Sequence, residues 1–150
     1  ILLLASCKKE QVISPKKRAT QKETNTFTQG TPGIIIIHDF AASGSEIENE
    51  FGNNQDWIEL LNTTPNTLQL EAGKWFITDN YDQNPRKYAL PELTLTPHQH
   101  LIIWCDNMNT VEDNIHTNFK LASAGEKLGL FYNNKGNDIA IDLCNYCGKK

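Results

Sequence analysis

Long amphipathic helical patterns are missing from this 150-residue chain, and no heptad is sustained anywhere along it. A helical bundle and a coiled-coil rod are thereby excluded. There is no Gly-x-Ser-x-Gly nucleophile elbow and no EF-hand loop with its central glycine, and no second ligand pair at the usual spacing joins Cys144 and Cys147 in a zinc site. The sequence therefore offers no serine-hydrolase, calcium-switch or zinc-finger signature. Basic charge is short as well: 14 Lys and Arg stand against 18 Asp and Glu, a net charge of −4. The shortage is uneven, because six basic residues between Lys8 and Lys22 against Glu10 and Glu23 leave residues 1–32 at +4. Residues 33–150, with eight basic and sixteen acidic side chains, then stand at −8. A globule this acidic repels phosphate backbones, so nucleic-acid binding is disfavoured.

What is present is short apolar runs separated by turn residues. The length allows one domain of ordinary size, and 39% hydrophobic residues supply a core, with Trp57, Trp75 and Trp104 each inside an apolar run. Asp56-Trp57-Ile58-Glu59-Leu60-Leu61-Asn62 reads as a central strand, an aromatic and branched aliphatics flanked by Gly, Asn and Pro. Strand parity puts Ile58 and Leu60 on one face, expected in the core, and Trp57, Glu59 and Leu61 on the other. Further strands are expected at residues 34–40, 67–70, 74–78, 88–90, 93–95, 100–105, 119–121, 127–132 and 138–143. The run 100–105 is apolar on both faces and so should be central in its sheet. Asn133-Asn134-Lys135-Gly136-Asn137 should close a hairpin. About eight to ten short strands with regular turns predict an all-β fold, a β-sandwich.

At the N-terminus, Leu4-Ala5-Ser6-Cys7 resembles the lipobox that ends a bacterial lipoprotein signal peptide, an aliphatic residue and two small ones before a cysteine. The resemblance implies cleavage before Cys7 and a lipid on its sulfur. Residues 1–6 are then a signal-peptide remnant, and residues 7–32, rich in Lys, Gln, Thr and Ser, a lipidated, disordered tether. Acyl chains hold a protein to membrane lipid at about 0.8 kcal/mol per buried methylene. The expected location is the cell envelope, anchored to a membrane.

From Gly33 onward the motifs run in a recognisable order: His38-Asp39-Phe40, Trp57-Ile58-Glu59-Leu60, Gly73, Trp75, Leu101-Ile102-Ile103-Trp104, Phe119-Lys120-Leu121, Gly125-Glu126 and Leu128-Gly129-Leu130-Phe131. Together they resemble the lamin tail domain, over roughly residues 33–143. The resemblance implies an immunoglobulin-like β-sandwich for the domain 33–150, in a family whose bacterial members are secreted or membrane-attached. Glu71 and Ala72 depart from the family's usual run and suggest a bulge or a longer turn. His98-Gln99-His100 replaces small residues.

The chemistry-bearing residues form no set that the sequence singles out. With Cys7 acylated, Cys144 and Cys147 could close a small disulfide, and Cys105 reads as a small buried hydrophobe. His98 and His100 would point the same way in a strand, yet beside Pro97 they read as exposed loop histidines, and no metal ligand is assigned. Glu59 is expected to accept hydrogen bonds or to pair with a Lys or Arg on a neighbouring strand. Asp113, His116 and Ser123 can be drawn as a catalytic set only by free choice. The carboxylates of the 106–113 and 79–82 loops leave a metal-binding accessory domain, or a hydrolase, as the alternative function. The favoured expectation is a binding or structural module without catalysis or cofactor. It would recognise an envelope protein or polysaccharide through loops 41–55, 79–87 and 106–118.

Overall fold

The computed structural model describes residues 8–10 and 29–147, and of Cys147 the backbone alone. The signal remnant, Cys7 and tether residues 11–28 lie outside the described residues. The twelve described strands are β1 (Lys8–Lys9), β2 (Ile35–Ala41), β3 (Trp57–Asn62), β4 (Leu68–Leu70), β5 (Trp75–Thr78), β6 (Tyr88–Ala89), β7 (Leu93–Leu95), β8 (His100–Trp104), β9 (Thr110–Val111), β10 (Ile115–His116), β11 (Gly125–Asn134) and β12 (Asn137–Cys147). No helix occurs among the described residues. One sheet has the order β2-β3-β8-β10-β9, the other β1-β12-β11-β5-β6, and β4 pairs with β7 in a small third.

Alternation of apolar residues on these strands is what joins the two large sheets. Ile35, Ile58, Leu60 and Ile103 from the first share one buried cluster with Trp75, Ile77, Leu128, Leu130 and Ile141 from the second. Each fully buried aliphatic contributes about 1.5–3 kcal/mol of transfer free energy. Parity on β3 is as expected: Ile58 and Leu60 are fully buried, while Trp57, Glu59 and Leu61 are only partly covered. β8 occupies the middle of its sheet, again as expected. The β11–β12 hairpin closes on Lys135 and Gly136, both at positive φ, in the two-residue turn that matches strand twist.

Asn62 ends β3 and fixes the adjoining corner. Fully buried, it donates from Nδ2 to the carbonyls of Asn66, Leu95 and Thr96, and its Oδ1 accepts from the amide and hydroxyl of Thr64. One amide side chain therefore ties the turn after β3 to the end of β7.

The strand reading differs from the structure in two places. β9 and β10 lie inside the polar segment 106–118, held by pairing of His116 with Trp104 and with Thr110 rather than by apolar alternation. Phe119-Lys120-Leu121 contributes a single bridge, Lys120 to Asp106, instead of a strand. At Glu71 and Ala72 the structure has the longer turn, through Gly73 at φ +72°, and the bulge of the first sheet falls at His38. The domain also begins earlier than Gly33. Gln29 accepts a hydrogen bond from Trp75 Nε1 at 3.1 Å, and a side chain on Gly30 (φ +85°) would collide with the Tyr132 ring. Within the tether, Lys8 and Lys9 pair with Asn145 and Cys144 of β12, and the Lys9 ammonium binds Asp142.

Candidate functional site

Three side chains from three adjacent strands meet on the solvent face of the first sheet. Glu59 points outward by parity from β3, and His100 stands opposite Leu61, one diagonal step away on the same face. Ile35 and Ile37 of β2 face the core, so alternation already sends His38 outward with Ile36. The register shift between Ile37 and Asp39 makes His38 the extra residue, leaves Asp39 outward opposite Glu59 and returns Phe40 to the core. Glu59 Oε1 then lies 2.7 Å from His38 Nδ1 and 2.9 Å from His100 Nδ1, and the two rings meet edge to face with centroids 4.9 Å apart. Burial alone would raise the Glu59 carboxyl, but hydrogen bonds from His100 and His38 overcome it and hold the pKa below the ordinary value. Of the two roles expected for Glu59, accepting hydrogen bonds or pairing with a Lys or Arg, the structure shows the first, with histidines of the neighbouring strands as partners.

A second assembly fastens loops 41–55 and 106–118 together. His116 is fully buried, with Nδ1 2.7 Å from Asp106 Oδ2 and Nε2 2.8 Å from Glu50 Oε1. Burial would lower the His116 pKa, yet bonds to the two carboxylates win and raise it, while Glu50 is lowered in turn. The imidazolium is thus a cross-link between loops. Asp56 adds another: its Oδ1 accepts the Gly44 amide at 2.8 Å and its Oδ2 the Leu121 amide at 3.2 Å. Asn49 Oδ1 takes the amides of Phe51 and Asn53, both at 3.0 Å, and shapes the turn that presents Phe51.

On these two fastened loops stand the large apolar side chains that face water. Ile47, Phe51, Met108 and Val111, 39–52% exposed, are the exposed large hydrophobic residues among those described. Phe51 also packs its ring 5.6 Å from that of His116, which ties this exposed side chain to the buried cross-link.

The remaining polar loops are already neutralised. Lys87 holds both oxygens of Asp79 at 2.7 Å, and Lys127 binds Asp82. Asp79, Lys87, Glu126 and Lys127 line a pocket of about 320 Å³. Burial there, reinforced by the charge of Asp79, lifts the Glu126 carboxyl to about 7. In the set Asp113, His116 and Ser123, both ring nitrogens of His116 are taken by Asp106 and Glu50 instead. Cys105 is buried and free, as expected of a small hydrophobe. Cys144 is buried and disulfide-bonded, and its partner sulfur lies outside the described residues, as do Cys7 and the Cys147 side chain.

The comparison with known families agrees with this architecture. The family model described as Lamin Tail Domain matches residues 28–148, a span that takes in Gln29 and Gly30 as the structure does. No curated protein matches the chain.

Proposed function

Because the chain belongs to the lamin tail domain family, whose immunoglobulin-like fold serves binding and structural roles, we propose that it is a non-catalytic binding module of an exported lipoprotein. In this reading Cys7 carries the lipid, Lys8 and Lys9 on β12 hold that end of the chain against the sandwich, and the sandwich presents its loops to a protein partner in the cell envelope. The lipobox Leu4-Ala5-Ser6-Cys7 supports the anchor.

The observation that carries recognition is the confinement of exposed Ile47, Phe51, Met108 and Val111 to two loops locked by Glu50, His116 and Asp106. Large side chains held out by a prepared scaffold lose little further entropy on binding, which suits them as anchors for an apolar surface on a protein. Loop 79–87 contributes less, since its carboxylates are paired with lysines. A hydrolase built on loop carboxylates is the weaker alternative, because Asp79, Asp82 and Asp106 are all engaged by cationic side chains.

Affinity capture from host envelope extract tests the proposal, using the full chain beside a Phe51→Ser/Val111→Ser variant. A protein retained by the wild type and lost by the variant is expected. Equal retention by both would refute recognition through these loops.

A further inference from the structure

From the convergence of His38, Glu59 and His100 we infer a binding site for a divalent transition-metal ion of the zinc class on the outer face of the first sheet. It goes beyond loop recognition and does not depend on it. The three side chains each offer one ligand atom, and these atoms all lie within 4.8 Å of one another. Tetrahedral zinc, with bonds of about 2.0–2.2 Å to imidazole nitrogen and carboxylate oxygen, keeps its ligand atoms about 3.3 Å apart. The observed separations of 2.7 and 2.9 Å from Glu59 Oε1 require only small side-chain adjustments to admit the ion.

The donor set selects the metal. Two imidazoles and one carboxylate suit zinc, copper, nickel or cobalt, whereas calcium and magnesium demand a shell of oxygens. The sheet places this set, since His38, Glu59 and His100 stand outward on the adjacent strands β2, β3 and β8. Each ring coordinates through the lone pair of Nδ1. Any proton that Nδ1 shares with Glu59 passes to solvent, and Nε2 keeps its own. Because both histidines are exposed, water completes the coordination shell, and the fold does not require the ion for its core.

The test is a calorimetric titration of the full chain, free of any affinity tag and stripped by chelator, with zinc chloride. One equivalent is expected to bind saturably. His38→Ala and His100→Ala should each weaken it at least about tenfold. His98→Ala, an exposed histidine outside the cluster, should leave it unchanged. Cobalt bound at the same site should give the visible bands of low-coordinate Co(II), lost in Glu59→Gln. Thermal melts of the metal-free variants should match the wild type, since the two histidines are surface side chains. No saturable zinc binding, or affinity unaltered by both His38→Ala and His100→Ala, would overturn the assignment.

Discussion

Replacing His116 by alanine is the most exacting test of the loop scaffold. The ring is fully buried, and so is Asp106 at 2% side-chain exposure, whereas Glu50 keeps 19%. Loss of the imidazolium strands the Asp106 carboxylate in the protein, which costs about 3–5 kcal/mol by analogy with broken buried pairs. The more exposed Glu50 turns to water and adds no more than about 1 kcal/mol. At about 4 °C per kcal/mol for a domain of this size, the melting temperature should fall by roughly 12–20 °C. His116→Ala/Asp106→Asn should regain part of that loss. The pH dependence has a definite sign. Because the folded His116 pKa is raised, its contribution is complete below the ordinary value and lost as pH rises through the folded one. Glu50, lowered, acts in the acid range instead, where its contribution fades as pH falls. Urea unfolding from pH 6 to 9 should therefore show wild-type stability falling with pH, and the alanine variant should lack that component. A loss under about 1 kcal/mol, or identical alkaline slopes in both proteins, would refute the cross-link.

Glu126→Gln should work in a different window. Its carboxyl is raised to about 7, so wild-type stability should decline as pH rises from the ordinary carboxylate range to neutrality, then level off. Urea unfolding at pH 8 should find the glutamine variant more stable by about 1–2 kcal/mol, reduced for solvent screening of a half-exposed group. Asn62→Ala should cost about 3 kcal/mol in thermal or chemical unfolding, because the carbonyls of Asn66, Leu95 and Thr96 and the Thr64 amide lose their partners inside the protein. Non-reducing peptide mapping of the mature protein tests the anchor. One sulfur cannot carry both a lipid and a disulfide, so acylated Cys7 requires Cys144 to bridge to Cys147, Cys105 being free. Extended spacing along β12 holds those two Cα atoms about 10 Å apart, so that bridge would need the strand end to curl back. A Cys7–Cys144 peptide would remove the lipid anchor from the account.

Strands whose side chains alternate strictly were legible before any coordinates. The period of Asp56–Asn62 assigns Ile58 and Leu60 to the core and leaves Glu59 outside, and the apolar run 100–105 identifies the interior strand. β9 and β10 were not legible, because two-residue strands in a polar segment carry no period and arise from tertiary pairing with Trp104. The metal cluster was hidden for a sharper reason. His38 and His100 lie 21 and 41 residues from Glu59 along the chain, so only the strand order and register, which no local pattern encodes, bring the three together. The sequence paired His100 with His98, but His98 precedes the strand at positive φ, and the true neighbours come from other strands. The His116 cross-link was equally hidden, since Glu50 lies 66 residues away along the chain.

The binding-module account meets its most direct test in site-specific photo-crosslinking on host membranes. A photoreactive residue is placed in turn at Phe51, at Val111 and, as the comparison, at exposed Asn134 on the β11–β12 turn. The account predicts the same discrete protein adduct from positions 51 and 111 and none from 134. Adducts at 134 equal to those at 51 and 111, or no adduct from either loop position, would contradict it.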